Sequence, residues 1–413
     1  MSLMAPSPGS SLRLVHTSDW HIGQELHGHD REEEHDAFLA WLLVQLEVLE
    51  ADALVVTGDI YDVANPPVAA MARFYGFLRD TLARCPQLQI VVVGGNHDSA
   101  ARINLPGALL GKGRVNLVGQ IPRCDGSLDL DALLVPLNGR NGTPAAVLAA
   151  IPYCRPGDLG RGDLASLYAE VATAAAQRAD GLPIVLTGHL HVSGGDVSVD
   201  SERRIVIGGE EAQASSLFDT RAAYVALGHL HRPQTIAGAT LIRYAGSPLP
   251  LSVAERDYRH SISVVDLGGK GAELSVVEIP RLAAFVSFPP EGAQPLEEVE
   301  LALAGFDFGE PESPGRRPFV EVAILLDRPQ PGVTARVHAA LEGKPIRLTR
   351  IRSVYPEAPA RDSLSGLGED LDALEPNAVF ASLHVERHGA EPDPALVRAF
   401  AELVIAVHAE TLP

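Results

Sequence analysis

The stretch Val91-Val92-Val93-Gly94-Gly95-Asn96-His97-Asp98 decides the fold of this chain. An apolar, β-branched run ends at two glycines, and an amide, an imidazole and a carboxylate follow at once. Such a run predicts a buried strand that delivers polar side chains to one edge of a sheet.

Four other predicted strands end in the same way. They are Leu12–His16 before Ser18-Asp19-Trp20-His21, Ala53–Thr57 before Gly58-Asp59-Ile60-Tyr61-Asp62, Pro183–Thr187 before Gly188-His189-Leu190-His191, and Tyr224–Leu227 before Gly228-His229-Leu230-His231. In open α/β sheets the ligand site lies beyond the carboxyl ends of the strands. Because all five strand ends carry Asp, His or Asn, we expect them to converge on a metal site.

The candidate metal ligands combine carboxylates, imidazoles and one amide. They are Asp19, His21, Asp59, Asn96, His189, His229 and His231. This is about the number that two adjacent metals need, and Asp59 is the natural bridge because a carboxylate has two oxygens. With only two carboxylates, two divalent ions leave a net positive cavity that suits a phosphate ester. Imidazole-rich ligation favours Mn, Fe or Zn over Mg, and paired metals can activate water and clamp both oxygens of an in-line displacement.

Three more residues are candidates for catalysis beside the metals. His97 follows a candidate ligand on a tight loop, so we expect it to face the substrate, where it can stabilise the transition state or protonate the leaving oxygen. Asp62 is either a carboxylate that supports a ligand or a loop cap, since Asp is common in turns. Asp98 either orients His97 or caps the following helix.

The remaining histidines near these motifs are expected to be structural. His27 and His29 lie in a polar loop followed by an acidic run, and ligating histidines are usually oriented by rigid elements. We therefore expect a solvated loop there. His16 lies within a strand and should pack, and His191 has no evident role if His189 is the ligand.

Composition limits the class of protein. A chain of 413 residues suggests two or three domains, and a net charge of −20 argues against coating nucleic acid or an anionic membrane by bulk electrostatics. Cys85, Cys124 and Cys154 form no CxxC motif, which is typical of reduced packing residues in a cytosolic protein. No signal peptide or bilayer-spanning run is found. We expect a soluble, cytoplasmic protein without a membrane partner.

Alternating strands and helices predict an α/β fold with a mainly parallel sheet. Changes in composition predict five segments. They are a disordered lead-in (1–11), a first domain that carries the candidate site (12–285), a small α+β module (286–355), a Pro/Ser/Gly linker (356–370) and C-terminal helices (371–413).

Two interaction surfaces are expected. The predicted helix Val68–Arg84 has apolar positions, among them Met71, Phe74, Phe77 and Leu78, beyond what one sheet face needs, so we expect it to form a dimer interface with the segment after Asp98. The alternative is that it only covers the sheet. Two C-terminal helices, Leu371–Glu386 and Pro394–Thr411, have apolar stripes that they can bury against each other only in part, which indicates a helical partner or a structural cap on the body.

The motifs together resemble a known family. Asp-x-His, Gly-Asp-x-x-Asp, Gly-Asn-His-Asp, Gly-His and Gly-His-x-His, in that order, are similar to the signature of calcineurin-like metallophosphoesterases. Longer stretches resemble the SbcD family within it, the nuclease subunits of bacterial SbcCD complexes: His16–Gln24, Arg31–Leu43, Ala226–Pro233 and Tyr244–Ser252. The resemblance is specific from about Leu12 to Asp266. It implies a β-sandwich flanked by helices, with a capping domain and C-terminal helices.

The resemblance also implies ligands and partners. One metal would take Asp19, His21, Asp59 and His231, and the other would take Asp59, Asn96, His189 and His229, with His97 catalytic and unligated. The expected cofactor is two Mn²⁺ ions, ahead of Mg²⁺, Fe or Zn. The expected assembly is a homodimer that binds an SbcC-type coiled-coil ATPase through residues 371–413.

The expected function is hydrolysis of DNA phosphodiesters in repair and recombination. The chain would be a double-strand exonuclease and a single-strand or hairpin endonuclease, with ATP used by the partner. A phosphomonoesterase or cyclic-nucleotide phosphodiesterase is the alternative with the same chemistry, and a non-catalytic scaffold is the alternative of another class. The complete ligand set speaks against a scaffold, and the extra module and terminal helices speak against a stand-alone phosphatase.

Overall fold

The structure, a computed structural model, describes residues 10–110, 113–160, 162–198, 212–269, 271–328, 330–355 and 376–401. Contacts between residues divide the chain into two units. Unit 1 contains the residues up to Ala284 together with Glu312–Arg317, and unit 2 contains Phe285–Pro311 and the residues from Pro318 onward. Among the described helices, none is long and apolar enough to cross a bilayer.

Unit 1 alternates strands and helices over most of its length. Its strands are β1 (Ser10–Thr17), β2 (Ala53–Thr57), β3 (Gln89–Val93), β4 (Val115–Val118), β5 (Arg123–Cys124), β6 (Ser127–Leu128), β7 (Leu134–Asn138), β8 (Pro144–Ala149), β9 (Ile184–His189), β10 (Ala222–Gly228), β11 (Gln234–Ile236), β12 (Leu241–Tyr244), β13 (Ser261–Gly268) and β14 (Gly271–Glu278). Its helices are α1 (Glu32–Val48), α2 (Val68–Arg84), α3 (Ala100–Asn104), α4 (Gly107–Leu110), α5 (Leu130–Leu133) and α6 (Leu164–Ala179).

Among the described residues, twelve strands of unit 1 form two six-stranded sheets with parallel centres, and β5 and β6 pair only with each other. The first has the order β14-β13-β1-β2-β3-β4 and the second β11-β12-β10-β9-β8-β7. The strands β1 to β4 are parallel, as are β8, β9, β10 and β12, and antiparallel strands lie at the edges. The predicted parallel pairing is therefore confirmed for the centre of each sheet. The residues alone predicted one sheet, whereas the structure has two.

The two sheets share one apolar core. Leu14 and Val55 from the first sheet are buried in the same cluster as Leu148, Leu186 and Val225 from the second. Side chains alternate between the faces of a strand, so the neighbouring residues of the first sheet point the other way, into a second cluster formed with α1 and α2. Both faces of the central strands are thus covered, which explains their continuous apolar sequence. The predicted α/β sandwich flanked by helices is confirmed.

Helix α2 covers the outer face of the first sheet. Phe74, Phe77 and Leu78 are buried, and Phe74 packs edge-on against the ring of Trp20. The prediction that these three side chains exceed what the sheet contact needs is wrong, because all three are buried against the first sheet and α1. On the same helix, Val68 remains 78% exposed.

Unit 2 is a small α+β module. Its strands are β15 (Phe285–Phe288), β16 (Gln294–Pro295), β17 (Phe319–Leu325) and β18 (Arg347–Val354), and its helices are α7 (Leu296–Gly305), α8 (Val333–Leu341) and α9 (Pro376–His388). Strand β17 pairs in parallel with the other three strands, and its buried residues pack with α7 and α8. The predicted linker and residues 402–411 of the last predicted helix lie outside the described residues, whereas residues 394–401 are helical.

Candidate metal centre

The loops that follow β1, β2 and β10 hold unusual backbone conformations. Asp19, His21 and Asp59 have φ angles of 52°, 44° and 49°, and His229 has 100°. The left-handed region is costly for residues with a Cβ and persists only where the surroundings fix it, most often at functional sites. Two backbone bonds tie these loops together, from the Asp19 N–H to the Gly58 carbonyl and from the His21 N–H to the Asp59 carbonyl, both at 3.0 Å.

Asp98 fixes two of these loops to each other. Its buried carboxylate accepts backbone N–H bonds from Gly95 at 2.9 Å, Ile60 at 3.1 Å and Tyr61 at 3.0 Å. It neither orients the His97 ring nor caps α3, so both roles predicted for Asp98 are wrong. Asp98 holds loops together and is not a catalytic candidate. A Cβ on Gly95 would collide with the Asp59 side chain, which explains the glycine before Asn96.

Asp59 lies at the centre of the site. Its Oδ2 is 3.2 Å from Nε2 of His189 and 3.6 Å from Nε2 of His21. The amide oxygen of Asn96 is 2.9 Å from the same Nε2 of His189 and 3.2 Å from Nδ1 of His229. Two ring nitrogens therefore approach the same oxygen of the buried carboxylate.

Asp19 joins the remaining candidates to this centre. Its two carboxylate oxygens accept the backbone N–H of His229 at 3.0 and 3.2 Å. Ligand atoms of Asp19, His21 and His231 lie within 4.8 Å of one another, as do those of Asp19, Asp59 and His189. Five of the seven predicted ligands thus fall into two clusters that share Asp19. Asn96 adjoins them through His189, and His229 adjoins them through Asp19.

The ring of His21 is oriented as a metal ligand would be. Its Nδ1 lies 3.2 Å from the Oδ1 of Asp62, so Nδ1 carries the proton and Nε2 has a free lone pair. That Nε2 is buried, and it has no hydrogen-bond partner among the residues that the structure describes. A buried nitrogen lone pair aimed between carboxylates is what a divalent cation requires. Asp62 therefore fixes the ring of the candidate ligand His21, which is one of the two roles predicted for Asp62.

Two other rings are held in the same manner. The Nδ1–H of His189 donates to the carbonyl oxygen of Thr57 at 2.8 Å, and Nδ1 of His231 lies 3.0 Å from the Oε1 of Glu255. Each contact fixes the ring tautomer so that Nε2 is the nitrogen that can bind a metal, and a carboxylate partner also makes the ring more basic. Glu255 has no exposed surface and ends a short 3₁₀ turn, Val253–Glu255. No motif in the sequence pointed to it.

His97 occupies the side of the site beside Asp62. Its backbone N–H donates to the Oδ1 of Asp59 at 2.8 Å, and its ring Nδ1–H donates to the Asp62 carbonyl oxygen at 2.7 Å. The ring stands edge-on to that of His21, with 4.8 Å between centroids. These contacts leave Nε2 of a half-buried ring as the atom that can meet a substrate.

Charge interactions in the site are strong because the groups are buried. Burial lowers the pKa of His189, but the Asp59 carboxylate outweighs it and raises the pKa to about 10. Burial opposes ionisation of Asp59 as well, yet His189 and His21 hold its pKa well below the usual range. Burial raises the pKa of Asp19, and burial together with His189 lowers that of His229 to about 3. Asp59 thus stays ionised and stabilises positive charge beside it.

Three of the histidines expected to be structural, His16, His27 and His29, do not contact the candidate ligands in the part of the chain that the structure describes. His27 is exposed, and Leu26 and His29 exchange two backbone bonds of 3.0 Å across a tight turn. His16 is fully buried between the Tyr224 hydroxyl at 2.8 Å and the Thr57 hydroxyl at 2.9 Å. The predictions of a surface turn and of a packed His16 are confirmed.

The prediction that the three cysteines are reduced packing residues holds only in part. All three are free, and Cys85 and Cys154 are partly buried. Cys124 is exposed in the short strand β5, so the prediction that it packs is wrong.

Comparisons with known proteins agree with the site. The calcineurin-like phosphoesterase family matches residues 12–233, and the family described as type 5 capsule protein repressor C-terminal domain matches residues 285–387. The SbcD subunit of the SbcCD nuclease of Rhodobacter capsulatus is 39% identical over 386 residues, which are 90% of this chain and 94% of that protein.

Two further relatives carry the same name. The SbcD subunit of the SbcCD nuclease of Escherichia coli K12 is 38% identical over 59% of this chain and 62% of its own length. That of Bacillus subtilis strain 168 is 35% identical over 62% of this chain and 66% of its own length. With a divalent-metal site built from the strand ends of the matched region, the chain belongs to the SbcD family of calcineurin-like phosphoesterases and is a metal-dependent nuclease.

Proposed function

We propose that this chain hydrolyses phosphodiesters at DNA double-strand ends and hairpins with two divalent ions. The observation that carries the proposal is the position of the Asp59 carboxylate, whose Oδ2 lies 3.6 Å from Nε2 of His21 and 3.2 Å from Nε2 of His189. A carboxylate that is shared by two imidazole groups is suited to bind a pair of cations.

The proposed ligands divide into two sets that share Asp59. One set is Asp19, His21, Asp59 and His231, and the other is Asp59, Asn96, His189 and His229. Imidazole-rich ligation favours manganese over magnesium, so we propose Mn²⁺. When bound, such ions lower the pKa of water and neutralise phosphate charge.

His97 is the proposed proton donor. Because its Nδ1–H is held by the Asp62 carbonyl oxygen, the imidazolium form has its second proton on Nε2. That proton can be donated to the leaving oxygen or to a phosphate oxygen. The Asp62 side chain does not take part in this transfer, since it is engaged with His21; it is a positioning residue.

The C-terminal helices are the proposed attachment site for an SbcC-type coiled-coil ATPase. The relatives are named as one subunit of an SbcCD nuclease, which implies a partner subunit. The Phe380 and Phe400 rings stack at 4.2 Å between centroids, so the two helical segments pack on each other. Leu383 and Leu396 remain 51% and 44% exposed. This exposed apolar surface is suited to helices of a partner, whose ATP hydrolysis would control access of duplex ends.

A homodimer is proposed through α2 and the segment after Asp98. The support is the exposed apolar surface on these elements, namely Val68 at 78% and Leu105 at 63%. The buried Phe74 and Phe77 take no part in this proposal.

Substrate comparison tests the proposed function. Purified chain with Mn²⁺ is expected to cut a plasmid hairpin and short single strands, and a nitrophenyl phosphodiester in preference to the monoester. With the ATPase added, ATP should stimulate cutting of linear duplex ends. Rapid hydrolysis of the monoester without DNA cleavage would favour a phosphomonoesterase, and metal binding without any hydrolysis would favour a scaffold.

A further inference from the structure

The end of strand β8 brings one more segment to the edge where the candidate ligands lie. Strand β8 pairs in parallel with β9, which ends at His189, so the residues that follow β8 leave the second sheet beside the metal centre. This segment contributes none of the candidate ligands. It has instead an aromatic ring and a cation two residues apart, Tyr153 and Arg155, to which the mechanism above gives no role.

Tyr153 and Arg155 contact both a candidate ligand and the loop of His97. The Tyr153 ring stands edge-on to the ring of His189, with 6.2 Å between centroids. The guanidinium of Arg155 lies over the Tyr153 ring, 5.4 Å from its centroid. Its Nη2 is 3.4 Å from the carbonyl oxygen of Asp98, which directly follows His97 in the chain. The guanidinium therefore lies at the rim of the metal centre.

Hydrogen bonds fix the segment that carries this pair. The Tyr153 N–H donates to the Gly94 carbonyl oxygen at 2.9 Å, in the loop after β3. The carboxylate of Asp158 accepts the backbone N–H of Arg155 at 2.8 Å, and the guanidinium of Arg123 donates to the Asp158 carbonyl oxygen at 2.9 Å. The backbone of Arg155 is thus in place before a substrate arrives, which lowers the entropy cost of using its side chain.

The positive charge of Arg155 is accessible to a ligand. Arg155 is exposed, and within the described residues no carboxylate forms an ion pair with its guanidinium. By contrast, the guanidinium of Arg232, which follows the candidate ligand His231, is held by the Asp196 carboxylate at 2.5 Å. In a chain with a net charge of −20, an uncompensated guanidinium beside the metal centre is suited to bind an anion. Phosphate oxygens match the fork of guanidinium donors.

We propose that Arg155 binds the phosphate next to the cleaved one in a DNA strand, and that Tyr153 positions its guanidinium. The metal centre would hold the cleaved phosphodiester, so a neighbouring phosphate is the group left for the rim. An aromatic face beneath a guanidinium stabilises the cation and leaves its N–H groups available. Arg155 would then select polynucleotides over small phosphate esters, which have no second phosphate. This inference rests on the proposed DNA-cleaving function and adds to it the residue that recognises the strand.

Steady-state kinetics of the full-length chain with Mn²⁺ test the inference on two substrates, a short single strand and a nitrophenyl phosphodiester. Arg155→Gln should raise the KM of the strand by about tenfold, because one charge-assisted phosphate bond is lost, and it should change kcat less. The KM of the small diester should rise much less than that of the strand. A plot of log kcat/KM for the strand against log salt concentration should be shallower by about 0.7, the share of one phosphate contact in a single strand.

Matched variants separate recognition from general charge and from folding. Arg155→Lys keeps the positive charge and should retain the salt dependence of the wild type. Tyr153→Leu removes the ring beneath the guanidinium and should raise the KM of the strand, whereas Tyr153→Phe keeps the ring and should raise it less. Arg140→Gln removes an exposed arginine that pairs with Glu50 at 2.7 Å, shortly before β2 begins. This site lies at the opposite end of the strands, so wild-type kinetics are expected.

The two substrates together decide the outcome. Wild-type KM and wild-type salt dependence in Arg155→Gln would overturn the inference. Equal losses on the strand and on the small diester would overturn it as well, because Arg155 would then shape the metal centre rather than recognise the strand. Both results require a wild-type chain that cuts the strand. They therefore differ from a failure of the proposed function, in which the wild type cuts no strand and this inference falls with it.

Discussion

The carboxylate of Glu255 lies 3.0 Å from Nδ1 of His231, and both side chains are buried. Glu255 also accepts the backbone N–H of Leu251 at 2.8 Å, so it links the ring to the loop that follows β12. Glu255→Gln should weaken metal binding by about 10- to 100-fold, because the ring loses its anionic partner. Titration with Mn²⁺ measures this.

The matched control for this prediction is Glu278→Gln. Glu278 is exposed on β14, and its replacement should leave the metal affinity unchanged. If Glu255→Gln bound Mn²⁺ as tightly as the control, Glu255 would have only a structural role.

His97→Ala should separate hydrolysis from metal binding. The His97 ring is held by a backbone carbonyl rather than by the carboxylates of the centre, so metal content should remain normal. Loss of the proton donor should lower DNA cleavage by about 100- to 10,000-fold. His27→Ala serves as a surface control. Normal cleavage with normal metal content would remove His97 from the mechanism, and loss of metal would make it a ligand.

The sequence predicted that the candidate ligands lie close together, because each of them lies at or shortly after the end of a buried strand. Asp19, Asp59 and Asn96 come within two or three residues of an apolar run, and parallel strands bring such positions to one edge. The same reasoning could not assign Asp98, since its partners are backbone N–H groups of other loops. Glu255 could not be found because it lies 24 residues after His231 along the chain, in a segment without periodicity.

The sequence alone also could not predict the number of sheets or the surface that α2 covers. Strands β7 to β12 have the same apolar patterns as β1 to β4, and nothing in those patterns states which strands pair. Likewise, the amphipathic pattern of α2 does not distinguish a sheet contact from a dimer contact. Phe74 and Phe77 are assigned only by their burial beside Trp20 and Phe38.

His16 should make the protein less stable in acid. Burial, followed by the charge of Arg243, lowers its pKa from 6.5 to about 3, so between these values only the unfolded chain binds the proton. The stability that neutral His16 contributes is present above pH 6.5 and is lost as the pH falls towards 3. At pH 5 the loss should be about 2 kcal/mol relative to pH 8.

Urea unfolding at pH 8 and pH 5 measures this contribution. In His16→Phe the change in the free energy of unfolding between pH 8 and pH 5 should be about 2 kcal/mol smaller than in the wild type. The variant should nevertheless be less stable than the wild type at both pH values. The surface variant His27→Asn should retain the wild-type pH dependence. An identical pH dependence in His16→Phe and the wild type would show that His16 does not titrate as proposed.

Removal of the residues after Tyr355 should separate the nuclease from its partner. The truncated chain should retain Mn²⁺-dependent cleavage of short single strands, because the metal centre lies in unit 1. It should lose co-purification with the ATPase and ATP-stimulated cutting of duplex ends. Leu383→Asp should reproduce the loss in the full chain, since this side chain is 51% exposed, whereas Val276→Asp on β14 should not. Full association of the truncated chain with the ATPase would place the main attachment elsewhere.

Metal counting in Asp59→Asn tests the central claim most directly. Elemental analysis after dialysis against Mn²⁺ should find two ions per wild-type chain and a loss from both sites in Asp59→Asn, with DNA cleavage lost in parallel. His21→Ala should mainly empty one site, since its Nε2, 3.6 Å from Asp59 Oδ2, belongs to only one of the two proposed ligand sets. Retention of one full equivalent of Mn²⁺ in Asp59→Asn, or full DNA cleavage by that variant, would contradict a centre in which Asp59 bridges two metals.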